Sequence, residues 1–219
     1  MVNKAAPPDA KGSLKGFTPV AQVTVPEHTF SLKGDLGRFL GHLERYRLAI
    51  TLEGEQGSGK TQFAFQLADG FSDLGMKVGF YSLEIGTNST VMVRNRDLYL
   101  QPKNHSKIFI TEQGSLADLR QKASVFDVVI IDSWTKLDED SKEFDRLRKD
   151  FPNTIWVVIF QRTSANKIRG GTKPLYDAGI NIAVHKVDNT FENNYAECTK
   201  NRYGETGLRF NVSLQKIID

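Results

Sequence analysis

Short runs dominated by apolar residues recur along the chain, and a more polar stretch follows each of them. The clearest runs lie at 48–52, 77–83, 107–110, 128–131 and 155–160. Runs of this length predict strands, and consecutive rather than alternating apolar residues are typical of strands buried on both faces. The pattern therefore predicts a mostly parallel, twisted sheet inside the protein.

Helical periodicity occupies the stretches before and between these runs. Helices are predicted at 35–45, from near Lys60 to Gly75, and at 88–99, 115–123 and 141–150. Alternating strands and helices are typical of an α/β fold in which helices cover both faces of a parallel sheet. From Ile180 onward the pattern changes to shorter strand-like segments, near 180–187, 195–200 and 208–213, with Asn- and Gly-rich turns. These segments predict antiparallel strands at the C-terminal end.

The N-terminal segment departs from this alternation. Residues 1–27 hold four of the seven prolines and predict a flexible arm, which leaves 28–219 as a single core domain. A short apolar series in the arm has two interpretations, an added strand elsewhere or a frayed terminus. Its members are Phe17, Val20, Val23 and Val25.

Composition excludes several classes of protein. With 39% hydrophobic and 25% charged residues, the chain resembles ordinary globular proteins. No run approaches the roughly 18 apolar residues that span a membrane, and no signal peptide is evident, so we expect a cytoplasmic protein without membrane contact. The single cysteine, Cys198, excludes an internal disulfide and a cysteine-based zinc module. A net charge of +3 is too small to indicate nucleic-acid binding by itself.

A phosphate-binding motif, G-x-x-x-x-G-K-[ST], follows the first apolar run. It consists of Gly54, Glu55, Gln56, Gly57, Ser58, Gly59, Lys60 and Thr61. The glycines let the backbone wrap closely around a phosphate, and N–H groups at the start of the next helix face the anion. The motif predicts ATP binding, with Lys60 on the β- and γ-phosphates and Thr61 on Mg²⁺. The alternative, a turn without a ligand, is disfavoured by the complete motif.

Polar residues follow three of the other runs, at the sheet edge where α/β folds bind ligands. Asp132 is predicted to be a second Mg²⁺ ligand, and its alternative is a helix-capping aspartate. Glu84 is predicted to orient or deprotonate the attacking water, and its alternative is an exposed loop residue. Gln161 is predicted to sense the γ-phosphate, and its alternative is a structural amide.

Two basic segments are further candidates. The loop 162–173 holds four cations and no acid. It suits a nucleic-acid backbone through Arg162, Lys167 and Arg169, and a solvated loop is an equal alternative. Lys200 and Arg202 flank an asparagine before Gly204, where cations could stabilise the charge on a neighbouring subunit's nucleotide.

Together these motifs resemble the RecA-fold ATPases, most closely the RadA/Sms branch and more distantly the DnaB-type replicative helicases. The resemblance covers roughly residues 30–213. Apart from the phosphate-binding loop, five matching segments occur in the family's order, at 34–41, 80–84, 129–133, 161–171 and 200–204. The last, Lys-Asn-Arg-Tyr-Gly, is close to the Lys-Asn-Arg-Phe-Gly signature of the RadA branch.

The resemblance implies a RecA-like P-loop fold, ATP and Mg²⁺ as cofactors, and Glu84 as the catalytic glutamate. It also implies a homo-oligomeric ring or filament in which Lys200 and Arg202 act in trans. The four-cysteine module and protease-like domain of RadA proteins and the collar domain of DnaB-type helicases have no counterpart here. The resemblance therefore implies the ATPase core and leaves its task open.

Three functions are compatible with this core. The first is a DNA-stimulated ATPase that acts on single-stranded DNA in recombination, repair or replication. The second is a nucleotide-switched assembly or loader protein of the KaiC kind. The third is a core that binds nucleotide but hydrolyses it poorly, which the complete set of Lys60, Thr61, Glu84 and Asp132 disfavours. Trp134 has two interpretations, packing beneath the loop that follows Asp132 or stacking on a base.

Overall fold

A nine-stranded sheet built largely from the predicted apolar runs crosses the protein. The structure is a computed structural model, and it describes residues 16–24, 29–162 and 173–218. The strands in chain order are β1 (Thr29–Phe30), β2 (Leu43–Glu44), β3 (Ala49–Gly54), β4 (Val78–Ser82), β5 (Ile108–Thr111), β6 (Val128–Asp132), β7 (Ile155–Gln161), β8 (Ile180–His185), β9 (Tyr195–Asn201), β10 (Arg209–Asn211) and β11 (Lys216–Ile218). The helices are α1 (Gly34–Leu40), α2 (Lys60–Asp73), α3 (Thr90–Tyr99), α4 (Leu116–Lys122), α5 (Lys142–Asp150) and α6 (Lys173–Asp177).

The order of strands in the large sheet is β11-β10-β9-β8-β3-β7-β6-β4-β5. The strands from β8 to β5 in that order pair in parallel. The strands β9, β10 and β11 are antiparallel to their neighbours. The predicted arrangement, a parallel sheet with antiparallel C-terminal strands, is therefore confirmed, and β11 extends it by one strand that the pattern did not indicate.

Apolar side chains pack on both faces of the sheet. On one face, α1 and α2 cover β3, with Phe39, Phe63 and Phe71 fully buried. On the other face, α4 and α5 cover β6 and β7, and Phe144 and Leu147 are fully buried there. The helices begin where the sequence provides caps; the Ser89 hydroxyl, for example, accepts the Met92 N–H at the start of α3.

The predicted helix at 35–45 is wrong in its second half. The helix ends at Leu40 because Gly41 has φ 86° and turns the chain. Leu43 then enters β2, which pairs with β1 in a small antiparallel ladder. A side chain at Gly41 would meet the Tyr203 carbonyl oxygen at 2.2 Å, so only glycine fits this close approach.

The described part of the N-terminal segment, 16–24, contains a single 3-10 turn at Val20–Gln22 and no strand. Phe17, Val20 and Val23 are exposed there, while Val25 lies outside the described residues. Trp134 resolves in favour of packing: it is 2% exposed and lies against Phe144 and Phe160, so it cannot stack on a base. In the part of the chain that the structure describes, none of the helices is both long and apolar enough to cross a membrane.

Candidate functional site: a nucleotide cleft at the carboxyl edge of the sheet

The phosphate-binding motif forms the connection between β3 and α2. Gly54, Gly57 and Gly59 all have positive φ, at 153°, 78° and 105°, which is the backbone freedom that the motif requires. A side chain at Gly54 would meet the Val184 carbonyl oxygen at 2.2 Å. Gly59 caps α2, so the first N–H groups of this helix are available to an anion.

A cleft of about 660 Å³ opens above this loop. Its walls include Gly54, Gln56, Gly57, Gly59, Lys60 and Thr61. Glu55 contributes its backbone carbonyl, which accepts a hydrogen bond from Lys60 Nζ at 2.7 Å. Ser58 is buried, and its hydroxyl has no hydrogen-bond partner among the described residues. The size and polar walls of the cleft suit a nucleoside triphosphate.

Thr61 and Asp132 lie together, as a magnesium site requires. The Thr61 hydroxyl donates to Asp132 Oδ2 at 2.7 Å, although β6 and β3 are separated in the sheet by β7. No group of three or more His, Cys, Asp or Glu that could hold a metal occurs in the described ranges. A hydroxyl and one carboxylate leave the other positions to phosphate and water, which is the donor set that Mg²⁺ prefers beside a nucleotide.

Burial dominates the electrostatics of this pair. Asp132 is 2% exposed, and burial raises the pKa of its carboxyl to about 6, with the Glu84 charge adding to the rise. The Thr61 hydrogen bond and the Lys60 charge oppose this increase. Burial also lowers the pKa of Lys60, against the attraction of Asp132 and Glu84. Without a cation, the ionised cleft is therefore strained electrostatically, and Mg²⁺ would relieve that strain.

This strain predicts that Asp132→Asn stabilises the protein in the absence of nucleotide and Mg²⁺. A carboxyl with a higher pKa in the folded than in the unfolded state destabilises the fold when ionised, which is above pH 6 here. We expect the free energy of unfolding to rise by about 1–3 kcal/mol at pH 7.5. Urea unfolding at several pH values measures it.

The gain should shrink as the pH falls from about 6 to about 4, because the wild-type carboxyl then becomes neutral as well. Asp97→Asn is the control, because Asp97 lies on the surface in an ion pair with Arg96 and should gain nothing. A wild-type protein that is as stable as Asp132→Asn at pH 7.5 would contradict the prediction.

Glu84 lies beside this pair at the mouth of the cleft. Its Oε1 accepts hydrogen bonds from the Ser133 hydroxyl at 2.5 Å and from the Gln161 amide. Residue Glu84 is exposed and belongs to the cleft wall together with Gln161 and Asp132. The three strand-end residues that the sequence singled out therefore meet at one edge of the sheet, and Gln161 contacts Glu84 directly.

Lys200 and Arg202 lie away from the cleft of their own chain. Lys200 pairs with Asn181 in the β8–β9 ladder, and Ile180 pairs with Ile50 near the start of β3. The phosphate-binding loop instead follows the end of β3, about 13 Å further along the strand direction. Neither cation lines the cleft.

The surroundings of the two cations differ. Lys200 Nζ donates to the carbonyls of Leu175, Tyr176 and Ala178 at 2.7–3.1 Å, so it satisfies the C-terminal end of α6. Arg202 is exposed, and its backbone N–H donates to the Gly179 carbonyl. Arg202 therefore has the freer side chain for a contact with another subunit.

The basic loop is described only at its root. Arg162 directly follows β7 and lines the cleft, and its guanidinium pairs with Glu53. Lys167 and Arg169 lie outside the described residues, so their predicted contacts with DNA remain predictions.

Two residues of the site were not indicated by the sequence. Asn194, in the turn before β9, donates to the carbonyls of Gly57 and Ser58 at 3.3 and 3.1 Å, and so supports the phosphate-binding loop from the tail. Glu53, directly before Gly54, carries the carboxylate that binds Arg162. A charged residue inside an apolar strand was the available signal for Glu53, whereas nothing local marks Asn194.

Comparison with known proteins identifies the fold. No family model matches the chain, and no curated protein sequence matches it. The solved structure of the flagellar accessory protein FlaH from Methanocaldococcus jannaschii is similar, with TM-score 0.66 and 16% identity, covering 85% of this chain and 96% of that chain. The solved ATPase domain of a DnaB-like helicase is also similar, with TM-score 0.57 and 15% identity, covering 80% of this chain and 86% of that chain. The predicted RecA-like P-loop ATPase fold is confirmed.

Proposed function

We propose that this protein is an ATP- and Mg²⁺-dependent ATPase of the RadA/Sms kind that works as an oligomer on single-stranded DNA in recombination, repair or replication. One observation carries the ATPase part: Thr61 and Asp132 are in direct contact, and Glu84 and Lys60 line the same cleft. Bound Mg²⁺ would neutralise the charge that builds up on the phosphates during the reaction.

The residues of the cleft have distinct roles in this proposal. The N–H groups at the start of α2 and the Lys60 ammonium bind the β- and γ-phosphates. Thr61 and Asp132 hold the metal. Glu84, whose carboxylate is held by Ser133 and Gln161, orients the attacking water and accepts its proton. Gln161 reports the state of the γ-phosphate to the loop that begins at Arg162.

The placement of Arg202 supports the oligomeric part. A head-to-tail assembly brings one edge of a subunit to the opposite edge of the next. Arg202 lies at the edge of the sheet away from its own cleft, so such an assembly could place it at the neighbour's γ-phosphate. The Lys-Asn-Arg-Tyr-Gly segment that contains it is also the feature that favours the RadA/Sms branch.

DNA binding rests on the cationic loop, and it predicts that Lys167→Ala/Arg169→Ala weakens the binding of single-stranded DNA in the presence of ATP. Removing two phosphate contacts should weaken binding by about 10-fold or more at 50 mM salt and should flatten its dependence on salt concentration. Fluorescence anisotropy with a labelled oligonucleotide measures both quantities. Arg146→Ala/Lys149→Ala is the charge-matched control, because it removes two exposed cations from α5.

The second candidate is a nucleotide-switched assembly or loader protein without direct work on DNA. The likeness to FlaH, a flagellar accessory protein, favours this candidate, because that protein's name indicates a supporting role in an assembly. The DNA experiment separates the two functions. A wild-type protein without measurable affinity for single-stranded DNA at low salt, with ATP present, would favour the assembly function.

A further inference from the structure

A buried ion pair joins the phosphate-binding strand to the strand that carries Gln161. Glu53, the last residue before Gly54, is 3% exposed, and its carboxylate binds Arg162 through two hydrogen bonds. Arg162 Nη2 donates to Oε1 at 2.6 Å, and Nε donates to Oε2 at 3.2 Å. This two-pronged geometry is the strongest that an arginine and a carboxylate form. A buried carboxylate without such a partner is strongly destabilising.

The register of the sheet places this pair directly beside the catalytic network. In the parallel β3–β7 ladder, Glu53 lies opposite Phe160, and Gly54 lies opposite Gln161. Successive side chains on a strand point to opposite faces. Phe160 packs in the cluster beneath α5, so Gln161 points to the face of α2 and Arg162 returns to the face of Phe160.

The two residues at the end of β7 are therefore fixed on both sides of the sheet. On one face the Gln161 amide donates to Glu84 Oε1, and on the other face Arg162 is held by Glu53. A displaced Arg162 would let the end of β7 move, and Gln161 would move with it. Displacements of about 1 Å at catalytic groups are enough to lower rates by about 10²-fold.

We propose that Arg162 and Glu53 are positioning residues for ATP hydrolysis, which hold Gln161 against Glu84 and tie this network to the phosphate-binding strand. This inference rests on the proposed ATPase function. It also gives Arg162 a different role from the DNA contact that the sequence predicted for it. The Arg162 guanidinium acts inside the subunit, and its effect on hydrolysis requires no DNA.

The test is a set of variants assayed for steady-state ATP hydrolysis without DNA. Arg162→Ala and Glu53→Ala should each lower kcat by about 10- to 100-fold, with a change in KM for ATP of less than about 3-fold. Arg162→Lys retains the charge but loses the second hydrogen bond, so its kcat should lie between those of Arg162→Ala and the wild type. Arg96→Ala, which breaks an exposed arginine–aspartate pair, is the matched control.

A second comparison separates positioning from stability. Glu53→Gln/Arg162→Met removes both buried charges, so its Tm should return close to that of the wild type. Its kcat should stay low, because the two-pronged bond is missing. Recovery of kcat together with Tm would show a merely structural role and would overturn the proposal.

A double-mutant cycle tests whether the effect passes through Glu84. In the Glu84→Gln background, Arg162→Ala should lower the residual single-turnover rate by less than about 3-fold, because the group that it positions is already absent. An undiminished loss in that background would refute the inference. A wild-type protein that hydrolyses ATP together with an Arg162→Ala variant of equal kcat would refute this inference alone. A wild-type protein without hydrolysis would refute the proposed function, and this inference with it.

Discussion

Lys60→Ala should lower ATP turnover by about 10²- to 10³-fold or more, while the protein stays folded. The Lys60 ammonium lies in the cleft with Asp132 and Glu84, and it is the cation that its own chain supplies to the β- and γ-phosphates. Removing one preorganised charge from the transition state typically costs about 3 kcal/mol or more. Turnover under saturating ATP and Mg²⁺ is the measurement.

The fold should survive this change because Lys60 makes few structural contacts. Its Nζ donates to the Glu55 carbonyl, and burial already lowers the pKa of its ammonium. We therefore expect the Tm to change little. Lys142→Ala is the matched control, because Lys142 lies on the exposed face of α5 and pairs only loosely with Asp140, at 3.8 Å. Near wild-type turnover in Lys60→Ala would contradict the assignment of the cleft.

Arg202→Ala should have an effect at least as large, through the neighbouring subunit. An arginine supplied in trans to a phosphoryl-transfer site can contribute roughly 10³- to 10⁵-fold in turnover. ATP binding should persist, because Arg202 does not line the cleft of its own chain. Turnover and binding of a fluorescent ATP analogue, measured on the same preparation, test the two parts separately.

Arg202 is a better probe of this contact than Lys200. Lys200 Nζ already binds three carbonyls at the end of α6, so Lys200→Ala would disturb its own subunit as well. If Arg202 acts in trans, turnover per subunit should also fall as the wild-type protein is diluted to monomers. Constant turnover per subunit in a monomer of proven mass would contradict the role of Arg202.

The sequence was sufficient for the parts of this structure that depend on local patterns. The parallel strands follow from continuous apolar runs, because strands covered by helices on both faces need apolar side chains in both directions. The phosphate-binding loop follows from its glycine spacing. Glu84 and Asp132 could be placed at one edge because parallel strands end on the same side of a sheet.

The parts that could not be predicted depend on contacts between distant segments. The ion pair of Glu53 with Arg162 joins residues 109 positions apart, and Asn194 reaches Ser58 from 136 positions away. The predicted helix at 35–45 failed for a similar reason. Gly41 turns the chain where it packs against Tyr203, which no pattern within 35–45 indicates.

The structure also separates two cations that the sequence treated alike. Lys200 and Arg202 flank one asparagine at the end of β9, and both were predicted to act on a neighbouring nucleotide. The Lys200 ammonium is held within its own subunit, whereas Arg202 is exposed. This difference depends on α6, a short helix that the apolar pattern did not indicate and whose C-terminal carbonyls Lys200 binds.

The most direct test of the account mixes two inactive proteins, Lys60→Ala and Arg202→Ala. The first keeps Arg202 but lacks a working cleft, and the second keeps the cleft but lacks Arg202. If the site forms between subunits, about one interface in four of a randomly mixed equimolar assembly combines an intact cleft with an intact Arg202. We predict that the mixture regains about a quarter of wild-type turnover, although each protein alone is nearly inactive. A mixture that exchanges subunits and stays as inactive as its components would contradict the account.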